Sequence, residues 1–188
     1  MDEPDTALIG AHGYCTQEMV NLLVTGKARS NVFDGTVSLG DEGGRGLPRK
    51  ILKGLDERSP FGYLSLFEHY GSLQVGSRMR FPVYPIFVVC SESHYTVLFS
   101  PTKACLQVTT DEGGDGGGPQ REFDLFFYDG LANQESPTRL TVRPGRRRED
   151  GSGGGGGDDD DLVPPLEHCI RTRWKEAEVD WNGAEPLL

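Results

Sequence analysis

The stretch from residue 81 to residue 100, FPVYPIFVVCSESHYTVLFS, constrains this chain more than any other part of it. Residues 81–90 are rich in β-branched and aromatic side chains and are bounded by turn residues, the pattern of a buried strand. Proline cannot donate to a ladder, so the ordered part is predicted to follow Pro85. A polar break, Ser91-Glu92-Ser93, comes next. Residues 94–100, HYTVLFS, then read as a second strand. Alternation puts His94, Thr96 and Leu98 on one face and Tyr95, Val97 and Phe99 on the other. A third strand is predicted over 122–129 (EFDLFFYD), and Leu140-Thr141-Val142 reads as a short edge strand. Short connections between sequential strands favour an antiparallel meander.

Helices are predicted on either side. Thr16 reads as an N-cap, residues 17–25 as a helix with Met19, Val20, Leu22, Leu23 and Val24 on its apolar side, and Gly26 as its stop. Ser59-Pro60 predicts a second helix, carrying Phe61, Leu64, Leu66 and Phe67 towards a core and ending at Gly71. Pro164-Pro165 opens a third, with Leu166, Cys169, Ile170 and Trp174 at helical spacing. Trp181-Asn182-Gly183 reads as a turn. The predicted class is mixed α/β (α+β), an antiparallel sheet flanked by helices.

Composition enters as a limit. Hydrophobic residues are 36% of the 188, lean against roughly 45–50% in globular domains. The deficit is local, because most of the 26 glycines and the acidic excess crowd into a few segments. Residues 111–119 and 144–161 are low in complexity and are predicted to be disordered loops within one domain over 7–188. The net charge of −10 argues against a nucleic-acid partner, which needs a basic face, and suits a partner with a basic patch. The four cysteines show no metal-ligand spacing and no disulfide framework. No signal peptide is visible, and the longest apolar stretch is far too short to span a bilayer. The expectation is a soluble intracellular protein, cytoplasmic or nuclear, with no membrane partner, no metal and no cofactor.

Four positions can carry chemistry. His94 starts a strand directly after a polar turn. A ring held there by the sheet, with one end near the surface, is placed as a general base must be, or else is a structural strand-end histidine. Cys15 precedes a helix N-terminus, where the dipole favours a thiolate, and pairs with His94 on paper as a cysteine protease dyad; the alternative is a small buried apolar residue. Asp129 and Asn133 follow the third strand, and either could orient the imidazole or simply serve the turn. Cys90 reads as core. His12, His69 and His168 read as structural, and Trp174 and Trp181 as core packing. The Asp158–Asp161 run lacks the alternating ligands of a calcium loop and reads as solvated.

Five segments in the same order resemble the MINDY family of deubiquitinases, in the branch formed by its third and fourth members. They are LIGAHGYCTQEMVNLLVTGKARSNVFDG (8–35), GYLSLFEHYGSLQVGS (62–77), FPVYPIFVVCSESHYTVLFS (81–100), FFYDGLANQ (126–134) and LVPPLEHCIRTRWKEAEVDWNGAEPLL (162–188). The string SESH followed by an aromatic is the most specific of them.

The resemblance implies a divergent papain-like cysteine protease domain, here its C-terminal half only. It implies hydrolysis of isopeptide bonds in lysine-48-linked polyubiquitin, with ubiquitin and polyubiquitin chains as partners. His94 matches the family histidine. The family's nucleophile lies in a glycine-proline-cysteine motif far upstream of the GYC segment, with a glutamine nearby for the oxyanion hole. No Gly-Pro-Cys occurs in these 188 residues, and Cys15 matches the GYC cysteine, which is not the nucleophile. The expectation is therefore the histidine-bearing part of a ubiquitinyl hydrolase, inactive as a lone polypeptide. The second reading is a non-catalytic ubiquitin-binding pseudoenzyme or a truncated fragment. For orienting His94, strand adjacency puts Asp129 ahead of Tyr128 and Asn133.

Overall fold

The structure is a computed structural model that describes residues 5–39, 50–108, 122–145 and 163–186. The predicted loop at 111–119, residues 146–161 of the second, and the Asp158–Asp161 run lie outside the described residues. The chain divides into two compact units, one of residues 1–62 and 74–83, the other of residues 63–73 and 84–188.

In the first unit, helix α1 (Gln17–Thr25) has the predicted bounds, and Gly26 ends it at φ +77° with its N–H on the Leu22 carbonyl. Thr16 differs from expectation. It precedes the helix in extended conformation, but its hydroxyl donates to the carbonyls of Ala7 (2.8 Å) and Leu8 (3.0 Å), so it ties down the incoming chain and makes no side-chain cap. The buried face also differs. Val20 and Val24 are buried with Glu18 and Asn21, while Leu23 is 73% exposed. Asn21 can be buried because its amide donates to the carbonyls of Arg29 (2.7 Å) and Asn31 (3.1 Å), which leaves no orphan donor.

Strands β1 (Thr36–Leu39) and β2 (Lys50–Lys53) form an antiparallel pair that sequence reading did not predict. Helix α2 (Leu66–His69) belongs to the second unit, and Asp34 joins this segment to a short helix of the first, α3 (Ser77–Arg80). The Asp34 carboxylate accepts from the backbone N–H of Ser77 (2.8 Å) and of Arg78 (3.0 Å) and from the Ser77 hydroxyl (2.6 Å). The close approach needs glycine at 76, since a Cβ there would lie 2.3 Å from Asp34 Oδ1.

The second unit is built on a six-stranded sheet in sequential order, whose first strand starts one residue before the unit does: β3 (Gly62–Ser65), β4 (Ile86–Ser91), β5 (His94–Phe99), β6 (Phe123–Tyr128), β7 (Thr138–Arg143) and β8 (Glu178–Asp180). From β4 to β8 each neighbouring pair is antiparallel, the predicted meander. The hairpin's ordered part does begin after Pro85.

One helix expectation and one strand expectation fail. Residues 62–65 form a strand beside β4, and of the helix expected from Pro60 only α2 is helical. All four residues of β3 are buried, so no polar face reveals the two-residue period, and Phe67 turns out exposed. β7 is six residues long and interior, because β8 pairs on its far side.

The core lies under this sheet. Phe87, Val89, Leu98, Leu125, Leu140 and Val142 pack with Leu166, Cys169 and Ile170 of helix α5 (Pro165–Arg173) and with Trp174. Burying each such side chain contributes about 1.5–3 kcal/mol. Trp174 is fully buried, its ring 5.4 Å from that of Phe87 and 5.2 Å from that of Phe123. Its Nε1 donates to the carbonyl of Cys105, in the short helix α4 (Ala104–Gln107), at 3.2 Å. Cys90 is core, as expected.

Candidate functional site

The β4–β5 hairpin delivers His94. Ser91 pairs with His94, leaving a two-residue turn of Glu92 (φ +47°) and Ser93 (φ +70°). Positive φ at both central residues matches the right-handed twist of the flanking strands, the type I′ pattern, but here without glycine. His94 therefore opens β5 at a tight, strained corner.

Its face is fixed by register. Leu98 stands opposite Phe127, so the face that carries His94, Thr96 and Leu98 also carries Leu125, Phe127 and Asp129. This is the core face, and His94 and Asp129 sit at its end. The His94 side chain is 41% exposed and that of Asp129 11%. His94 Nε2 lies 2.7 Å from Asp129 Oδ2. Of the orienting residues weighed from sequence, the structure brings Asp129 to the ring. Asn133 takes a turn position at φ +52°, and among the described residues neither it nor Tyr128 bonds His94.

The carboxylate is built to stay charged. Burial pushes its pKa up, but this is outweighed by the Leu131 N–H donating to Oδ1 (2.9 Å) and by His94 on Oδ2, with the net direction below the ordinary carboxylate value. An ionised acceptor fixes the proton on Nε2 and leaves the Nδ1 lone pair available. Among the described residues Nδ1 has no hydrogen-bond partner. A ring clamped at one nitrogen and free at the other can take a proton and return it.

Sequence reading missed Gln134. Its Oε1 accepts the Asp129 backbone N–H at 2.6 Å, and its Nε2 donates to the Thr138 hydroxyl at 3.1 Å. No local signal marked it, because the side chains that habitually bond nearby backbone are the shorter Ser, Thr, Asn and Asp, at smaller offsets.

The thiols sort by burial. Cys105 is pushed up to about 11 and Cys169 to about 12, in both by burial above all, so neither is a thiolate at neutral pH. Cys15 is exposed in the first unit, where its backbone bridges Ile9. His69 and His168 stack on each other with ring centres 3.9 Å apart. Among the described residues no group of three or more His, Cys, Asp or Glu could hold a metal ion, and no helix is long and apolar enough to cross a membrane.

Comparison with known families decides the lineage. The family model "Deubiquitinating enzyme MINDY-3/4, conserved domain" matches residues 1–183. The chain belongs to the MINDY-3/4 family of deubiquitinating enzymes. The domain of this MINDY family is of the papain-like cysteine protease type, and the antiparallel sheet flanked by helices agrees with that class. Among curated relatives, human "Probable ubiquitin carboxyl-terminal hydrolase MINDY-4" is 50% identical over 187 residues, 100% of this chain and 22% of that protein. Its bovine counterpart is 51% identical over the same span and share. Human "Ubiquitin carboxyl-terminal hydrolase MINDY-3" is 36% identical over 103 residues, 55% of this chain and 21% of that protein. The chain thus spans 22% of the length of the first two relatives. No solved structure matches.

Proposed function

We propose that this chain carries the acid–base half of a thiol-dependent ubiquitinyl hydrolase site, with His94 as general base and acid and Asp129 as its positioning carboxylate. The observation that carries the reading is the 2.7 Å contact of His94 Nε2 with Asp129 Oδ2, which leaves Nδ1 open.

In this mechanism a cysteine thiol gives its proton to Nδ1 and attacks the carbonyl carbon of the isopeptide bond. The imidazolium, paired with Asp129, returns the proton to the departing lysine amine. Water then repeats the cycle to release the acyl group. Cys15 is not the nucleophile in this reading. A glycine-proline-cysteine segment outside these 188 residues supplies it, with an oxyanion-hole donor beside it. The substrate is polyubiquitin linked through lysine 48, in the cytoplasm or nucleus, and the acidic chain suits a partner with a basic patch.

The test uses lysine-48-linked tetraubiquitin with the chain alone and with a longer protein that contains it. The chain alone should leave the tetramer intact. The longer protein should cleave it, and His94→Ala should lower the rate by about 10²–10⁴-fold, the usual contribution of acid–base catalysis. Cleavage by the chain alone that disappears on Cys15→Ala would overturn the assignment of the nucleophile. Binding without cleavage in either form would favour a ubiquitin-binding pseudoenzyme.

A further inference from the structure

The segment that follows β6 must turn and re-enter the sheet as β7 while holding one carboxylate in place. Asp129 does not do this alone. Its carbonyl accepts the Ala132 N–H at 3.3 Å, and its Oδ1 accepts the Leu131 N–H at 2.9 Å. Both are contacts within the turn and would move with it. Gln134 provides the anchor. Its side-chain oxygen takes the Asp129 N–H at 2.6 Å, and its side-chain nitrogen reaches the hydroxyl of Thr138, the first residue of β7, at 3.1 Å. One amide therefore bridges the end of β6 to the start of β7. The position asks for an acceptor at one end and a donor at the other. Among side chains of this length glutamine offers both; glutamate cannot donate and methionine can do neither strongly.

We propose that Gln134 is a positioning residue, acting through Asp129 to hold the His94 ring in one orientation and in its Nε2–H tautomer. The chain of contacts is Thr138 hydroxyl, Gln134 amide, Asp129 backbone and carboxylate, His94 Nε2. With the Gln134 bridge gone, what holds Asp129 in place for His94, among the described residues, is its Leu131 and Ala132 contacts within the turn. The carboxylate then samples other positions, and the ring loses the acceptor that selects its tautomer. The catalytic meaning rests on the function proposed above; the effect on the ring does not.

The experiment is ¹⁵N NMR of the imidazoles in the intact chain, which has four histidines, with His94→Gln assigning the resonance. At a pH where the ring is neutral, the wild type should show an Nε2–H pattern at His94. Gln134→Met should move both nitrogens towards the values of mixed tautomers. Thr138→Val, which removes only the far anchor, should move them in the same direction by less. It also serves if Gln134→Met fails to fold. In a longer protein that cleaves tetraubiquitin, Gln134→Met should lower kcat by up to about a hundredfold, the scale of a misplaced catalytic group, with KM little changed. A tautomer shift without any wild-type cleavage would support the positioning role and sink the proposed function. An unchanged His94 pattern in folded Gln134→Met, in a protein whose cleavage depends on His94, would overturn the positioning role alone.

Discussion

At the scale of single residues, Asp129 links the site to stability. Its carboxyl sits below the ordinary value of 3.8, because the Leu131 N–H and His94 outweigh the opposing effect of burial. A depressed folded-state pKa stabilises the fold at pH values above the unfolded pKa. That contribution is lost as pH falls through the folded value. Asp34 adds to the same acid limb, since its contacts with Ser77 and Arg78 outweigh burial in the same way. The informative comparison is therefore wild type against Asp129→Asn. In urea titrations between about pH 6 and about pH 3, the wild type should lose stability more steeply below about pH 4 than the variant. Parallel curves would show that the carboxylate is not paired as described. The histidine's place at a strand start was legible, from the polar break before it, and the resemblance carried by SESH singled it out. Its partner was not, because three residues after or at the end of the third strand, Tyr128, Asp129 and Asn133, satisfied the same local pattern. Contact between positions 35 apart depends on register, and register chose Asp129.

At the scale of elements, the β4–β5 hairpin carries a cost. Glu92 and Ser93 both have positive φ, a conformation that costs an ordinary L-residue about 1–2 kcal/mol. Asn-Gly is the pair such a two-residue turn favours. Glu92→Asn with Ser93→Gly should therefore raise stability by about 1 kcal/mol, read as a higher urea midpoint at unchanged slope. A lower midpoint would mean that the native side chains make contacts worth more than the backbone strain. The same hairpin explains why sequence reading did well here. Alternation, prolines and a polar break are local signals, and they placed β4 and β5 within a residue or two. β3 carried no such signal. Its four buried residues lack a polar face, so a run opened by Ser-Pro read as a helix.

At the scale of the whole molecule, each unit has its own logic. In the second unit Trp174 gathers the core, touching Phe87 on β4 and Phe123 on β6 and donating to the Cys105 carbonyl. Trp174→Ala should cost about 3–5 kcal/mol, read as a large drop in Tm by circular dichroism. A drop of less than about 1 kcal/mol would mean that this core does not hold the sheet together. The site stands at the end of the same sheet face, so the carboxylate and imidazole are held by the packing that holds the fold.

What the sequence determined by itself were the elements with local signatures: the bounds of α1, the β4–β5 hairpin, the strand at β6, the start of α5, and His94 at the start of β5. Tertiary structure decided the rest. It made 62–65 a strand by burying both its faces, and it made β7 interior by pairing β8 against it. It buried Asn21 in place of Leu23 by giving the amide two carbonyls to bond. It joined His94 to Asp129 and Asp129 to Gln134. Periodicity reports which face of one segment avoids water, whereas these outcomes depend on which segments meet and in what register, and that is settled by packing across the sheet.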